Sequence, residues 1–119
     1  MIERALIIKQ PWIDLILSGK KTWEMRSRPT HIRGKIGLIE QGTGLIVGEA
    51  DLFGVVEFQD IDLLASLSHN HCIYDEETLE KWNTAWMLKN AKRYDKPTPY
   101  NHPQGAVVWV KLDKESNNE

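Results

Sequence analysis

Residues 18–28 read Ser18-Gly19-Lys20-Lys21-Thr22-Trp23-Glu24-Met25-Arg26-Ser27-Arg28, so Lys20, Lys21, Arg26 and Arg28 surround the single carboxylate of Glu24. A carboxylate held among cations stays ionised and accepts from an amino or hydroxyl donor, while ammonium and guanidinium groups hold phosphate oxygens. The same group types could act as a base and stabilise a developing anion. The chemistry is therefore recognition or hydrolysis of a polar, phosphate-bearing ligand. The bland alternative is a half-buried strand on which Glu24 and Arg26 are solvated neighbours.

The elements that must position these groups are short. Ala5-Leu6-Ile7-Ile8 is a β-rich run, and Pro11 suits the first turn of a helix because its φ is fixed. Trp12, Ile13, Leu15, Ile16 and Leu17 form an apolar cluster of helical character, and Gly19 is placed to end that helix in a left-handed cap. From Thr22 the period becomes two, with Thr22, Glu24 and Arg26 on one face and Trp23 and Met25 on the other. Residues three apart on an unbroken strand face opposite ways, so Lys21 joins Glu24 only if it lies in the turn after Gly19. In that arrangement Lys21, Glu24 and Arg26 converge at the mouth of a barrel.

Taken together, Ile8-Lys9-Gln10-Pro11-Trp12, the run from Ser18 to Arg26 and Arg33-Gly34-Lys35-Ile36 resemble the ASCH domain, a family of the PUA-like β-barrels. The likeness continues through Gly48-Glu49-Ala50-Asp51-Leu52, Ala85-Trp86-Met87-Leu88-Lys89-Asn90-Ala91 and the stretch from Pro99 to Trp109, spanning nearly the whole chain. The resemblance implies an α+β fold, a mixed barrel of about five or six strands with short flanking helices. It covers residues 1–113 as one domain, with a polar tail over residues 114–119.

The rest of the chain fits that expectation. Residues 35–39 and 45–58 are β-rich and flank Gln41-Gly42-Thr43-Gly44, which reads as a hairpin loop; Gly48 and Gly54 mark bulges that curve the sheet. Helices are expected over residues 60–67, capped by Asp60 or Asp62, and 75–82, with residues 68–72 as a loop between them. Strand character returns at residues 85–88 and 106–112, joined through Pro97-Thr98-Pro99.

The 119 residues suit one domain, and a lone Cys72 excludes an internal disulfide framework. No signal peptide or membrane-length apolar run is visible, so a cytoplasmic protein without a membrane partner is expected. Net charge is -2, which argues against coating nucleic acid by bulk charge. The distribution matters more: residues 20–35 hold six Lys or Arg, residues 60–80 hold six acids without a Lys or Arg, and residues 81–96 hold five Lys or Arg. Such segregation gives either a basic cleft or a set of solvated loops.

Trp23, Trp86 and Trp109 sit among aliphatic neighbours and read as core. Trp12, beside the Gln10-Pro11 turn, reads as core or as an exposed indole that stacks on a base. His69-Asn70-His71-Cys72 lacks a full ligand set, so no metal and no cofactor is assigned. His31 and His102 read as loop residues beside the basic segment and the cleft.

The resemblance divides function into classes. ASCH domains are viewed as RNA-binding modules, which implies RNA or a modified nucleoside or nucleotide as ligand. In that reading Trp12 stacks, Glu24 reads a base or sugar donor, Lys20, Lys21, Arg26 and Arg28 contact phosphate, and Gln10 and Tyr100 rim the pocket. Some relatives deacylate N4-acetylcytidine with a lysine, a threonine three residues later and a distal glutamate. Lys21 matches that lysine, but Glu24 occupies the threonine position, leaving Thr22 as the substitute. Other relatives are ribonucleases, a role for which Lys21, Glu24 and Arg26 have the right group types although an ion-paired carboxylate is a weak base. A protein-interaction module of the kind found in transcriptional coactivators is the remaining class.

Overall fold

The computed structural model describes residues 2–112; the polar tail at 114–119 lies outside them. Six strands form a single sheet in the order β2-β5-β4-β3-β1-β6, curled into a half-barrel. In chain order they are β1 (Arg4–Ile8), β2 (Trp23–Arg26), β3 (Gly34–Glu40), β4 (Leu45–Glu57), β5 (Thr84–Pro99) and β6 (Trp109–Lys111). Helix α1 (Trp12–Leu17) follows β1, while α2 (Ile61–Ser66), α3 (Ser68–His71) and α4 (Glu76–Lys81) fill the β4–β5 connection. β1 pairs parallel with β3, and every other ladder is antiparallel.

Apolar periodicity builds this sheet. Leu6, Ile8, Ile36, Leu38, Val47 and Leu52 bury inner-face side chains under Ile13, Ile16 and Leu17 of α1. Helix α1 ends where Gly19 adopts φ +86°, as its position predicts. The Gln10–Pro11 peptide bond is cis. Curvature comes from β4, whose pairing with β5 shifts register between Ile46 and Gly48, Glu49 and Asp51, and Leu52 and Gly54. Gly48 and Gly54 thus sit at the bulges expected of them, where a strand bends and its twist increases.

Asp60 caps α2 by accepting from the Leu63 N–H at 3.1 Å, and Asp75 caps α4 by accepting from the Glu77 N–H at 3.2 Å. Both capped helices are where the carboxylates place them. These helices carry Leu64 and Leu79 onto Met25 and Ala85, forming a second apolar cluster beyond the barrel's edge.

Three sequence expectations need correction. Residues 68–72 are not a loop: Ser68–His71 form one helical turn, ended by Cys72 at φ +59°. The strand expected at 85–88 runs on to Pro99, because its distal half finds β4 partners as far as Leu45. Pro97 and Pro99 are accommodated since β2 pairs only with residues 84–87, leaving that half of β5 an edge on its other side. Conversely, the strand expected over 106–112 is confined to Trp109–Lys111, which pairs with Arg4–Leu6 of β1.

Candidate functional site

A cavity of about 540 Å³ opens between the first strands and the helical insert. Its polar groups come from the turn before β2 and from β2 itself, with Lys21, Glu24, Arg26 and Arg28 among its lining residues. Trp12 of α1, Trp82 after α4, Trp86 of β5 and Trp109 of β6 supply indole surface. Lys9 and Gln41 complete the polar rim, and Val107 and Val108 form the wall before β6.

Lys21 is the most unusual of these residues, with 1% of its surface exposed. It lies in the turn, its N–H bonded to the Leu15 carbonyl at 3.0 Å, so its side chain is freed from the strand alternation that begins at Trp23. Nζ donates to the backbone carbonyl of His71 and lies 4.9 Å from the centre of the Trp12 ring. Burial pulls the ammonium down to about pKa 8, against the opposing pull of the Glu24 charge.

His71 is why that carbonyl is in place. Its Nε2–H donates to the Leu64 carbonyl at 2.7 Å, and its Nδ1 accepts from the Ile73 N–H at 2.9 Å. A carbonyl only accepts and an N–H only donates, so the ring is the neutral Nε2–H tautomer. Burial accordingly lowers its affinity for a proton. Both ring nitrogens are committed to backbone, and no cluster of three or more metal-ligating side chains occurs among the described residues.

Glu24 and Arg26 share one face of β2. Arg26 donates to Glu24 Oε2 from Nε at 3.1 Å and from Nη2 at 2.8 Å, an arrangement that leaves Oε1 outside the pair. The same Nη2 donates to the Ile7 carbonyl at 2.9 Å. Since β2 and β1 are not ladder neighbours, Arg26 bridges the open side of the half-barrel. Its guanidinium also lies 5.3 Å from the centre of the Trp86 ring, which is directly opposite Glu24 in the β2–β5 register.

Trp86 stacks on Trp109 at 5.8 Å between centroids and donates from Nε1 to the Arg28 carbonyl at 2.8 Å. That bond pins the loop after β2 across the cavity. The Arg28 side chain is exposed, as is Lys9, and neither enters an ion pair among the described residues.

Other residues singled out from sequence lie elsewhere. Lys20 and Gln10 are exposed and do not line the cavity, so Lys21 is the inward lysine of its pair. Thr22 is not on the Glu24 face of β2, which starts one residue later; its hydroxyl instead meets Asn70 Oδ1 at 3.3 Å. Tyr100 lines a separate, adjoining cavity of about 300 Å³. Trp86 belongs to the core as expected but also presents a cavity wall, and Trp109 does the same. Trp82 and Lys9 line the cavity without a signal in the sequence, because a residue flanking a short helix or following a strand carries no local mark of what it will face.

The curled six-stranded sheet with its short helices is a PUA-like fold, matching solved ASCH structures. The ASCH domain family matches residues 6–98, and the chain belongs to that family. Among solved structures, the ASCH protein of Zymomonas mobilis is similar at 21% identity and a TM-score of 0.71, covering 98% of this chain and 91% of that one. Its serine-to-alanine variant is similar at 20% identity and a TM-score of 0.70, covering 98% and 92%. Its tyrosine-to-phenylalanine variant is similar at 20% and 0.71, covering 99% and 95%. A search of curated proteins finds no match.

Proposed function

We propose that the larger cavity binds a nucleoside unit, either free and modified or extruded from an RNA strand. The observation that carries this reading is the meeting of four indole walls with a buried lysine and a carboxylate in one space. Its volume of about 540 Å³ falls within the roughly 300–1,000 Å³ range of small-molecule sites. An aromatic wall accepts the face of any base, whereas fixed polar groups decide which one stays. Glu24 Oε1 is the acceptor for a base amino or sugar hydroxyl, and Trp12 is the stacking surface. Lys9 and Arg28 at the rim, with Arg26 below them, are the groups for phosphate.

A second reading is hydrolysis of an acylated nucleoside, favoured by Lys21 alone. An amine near pKa 8 inside a cavity is neutral often enough to take a proton from water as that water attacks an acyl carbon. The proton then passes to the departing amine. Thr22 is turned toward Asn70, so this route relies on water rather than on a hydroxyl nucleophile.

The two readings separate when the purified protein is incubated with N4-acetylcytidine, other modified nucleosides and short single-stranded RNA, with mass-spectrometric detection. Retention of intact ligand that is lost in Lys21→Ala and Glu24→Gln supports binding. Lys21-dependent product establishes hydrolysis, and neither retention nor product excludes both.

A further inference from the structure

The adjoining cavity of about 300 Å³ is lined by Tyr100 and His102 and touches the larger one through the shared residues Ile7, Gln41 and Val107. Resting on the nucleoside-binding reading above, we propose that it is a subsite for the neighbouring nucleotide, which makes the ligand an RNA strand of at least two residues.

Three observations favour a base and its sugar as the occupant. First, the subsite is built around an aromatic pair, with the Tyr100 and His102 rings 5.7 Å apart and tilted by 60°. Second, that pair is held in place: His102 Nε2 donates to the Ala106 carbonyl at 2.9 Å. Because a carbonyl only accepts, Nε2 carries a proton, and Nδ1 meets the Tyr100 hydroxyl at 2.8 Å. The Tyr100 N–H is in turn tied to the Gly44 carbonyl at 3.3 Å, so the ring platform is fixed to the β3–β4 hairpin. Third, Gly42 and Gly44 present bare backbone with open space where a side chain would stand, which lets a sugar-phosphate chain approach closely.

The lining contains no lysine, arginine or carboxylate, in contrast to the larger cavity. A free phosphate is thereby disfavoured in the subsite. Gln41 lies at the junction, where its amide can meet the sugar or the linking phosphate. The strand would then pass from the Trp12 cavity, over Gln41 and Val107, onto the Tyr100 ring.

Fluorescence titration of the indoles with the four ribonucleoside monophosphates and with ApA, CpC, GpG and UpU tests this. For whichever base binds, the dinucleotide should bind about ten-fold tighter than the monophosphate, the scale of one stacked base. Tyr100→Ala should collapse that ratio toward one and Tyr100→Phe should keep it. His102→Ala should reduce it also, which preserves the test if Tyr100→Ala does not fold. Equal affinity of mono- and dinucleotide in the wild type, or a ratio unchanged in Tyr100→Ala and His102→Ala, overturns the subsite while leaving the nucleoside reading intact. Binding of neither probe overturns the subsite, and the reading of the larger cavity is then decided by the incubation with modified nucleosides.

Discussion

Lys21 and Glu24 are three positions apart in sequence, yet both side chains are buried in the wall of one cavity. Lys21 belongs to the turn closed by the Leu15 carbonyl, whereas Glu24 is the second residue of β2. Their charges act on each other without forming an ion pair: Glu24 pairs with Arg26, and Lys21 donates to His71. Each charged group is thus held by a partner of its own while both line the cavity. This division is what a site gains from a turn placed immediately before a strand.

The buried ammonium should leave a mark on stability. Lys21 falls from 10.5 to about pKa 8 on folding, so between those values the unfolded chain binds the extra proton and stability rises with pH. Below pH 8 the charged amine is a burden of roughly 3 kcal/mol at about 1.4 kcal/mol per unit. Chemical denaturation of wild type and Lys21→Met from pH 7 to 10 should show the wild type gaining on the variant as pH rises. Parallel curves would mean that Lys21 is not desolvated.

Glu24→Gln keeps shape and removes charge. Arg26 would keep its bond to Ile7 but lose its carboxylate, costing about 1–3 kcal/mol in unfolding free energy. Ligand retention should fall more than ten-fold, since a neutral amide replaces a charged acceptor. Urea unfolding and nucleoside titration on the same preparation distinguish these effects. Full stability with full binding would remove Glu24 from the site and from the closure of the barrel.

Much of this geometry was legible because it is local. Period two on β2 pairs Glu24 with Arg26, Gly19 stops α1, and Asp60 and Asp75 cap their helices through side-chain oxygens within three residues. What was not legible depends on distant partners. The helical turn at Ser68–His71 is held by Lys21 and Thr22, some 50 residues away, together with the bonds of its own His71 ring to Leu64 and Ile73. The length of β5 depends on how far β4 continues beside it, whereas Pro97-Thr98-Pro99 reads as a connection between strands. Trp86 and Trp109 read as core from their aliphatic neighbours, and only the curl of the sheet shows that each also faces a cavity.

At Gly48 that curl is crowded by backbone. A Cβ on Gly48 would collide with the Lys92 carbonyl oxygen and stand 2.6 Å from Leu17 Cδ2, so backbone of β5 and a core leucine of α1 both press on it. Neither the carbonyl nor the packed leucine can retreat cheaply. Gly48→Ala should therefore cost about 1–3 kcal/mol, the scale of an overpacked core, and lower the thermal midpoint by several degrees. Gly42→Ala is the control, because an added methyl there meets open space and only the left-handed φ of +85° is strained. A Gly48→Ala protein as stable as the wild type would show that the β4 bend does not need its glycine.

Trp12 joins the two halves of the site, packing against the core under α1 and against the cluster formed by the helical insert. It also faces Lys21 at 4.9 Å, an aromatic face over an ammonium that burial would otherwise penalise. Trp12→Phe should preserve most of the fold and part of the cation–π attraction, weakening nucleoside binding a few-fold. Trp12→Ala should lose about 1–3 kcal/mol of binding if the indole stacks on the base, besides a stability cost of about 2–4 kcal/mol from the emptied space. The two losses are measured separately, by titration at a temperature where both variants remain folded and by thermal melting without ligand. A Trp12→Ala protein that melts early yet binds as tightly as wild type would assign the indole to packing alone and move the stacking surface to Trp86 and Trp109.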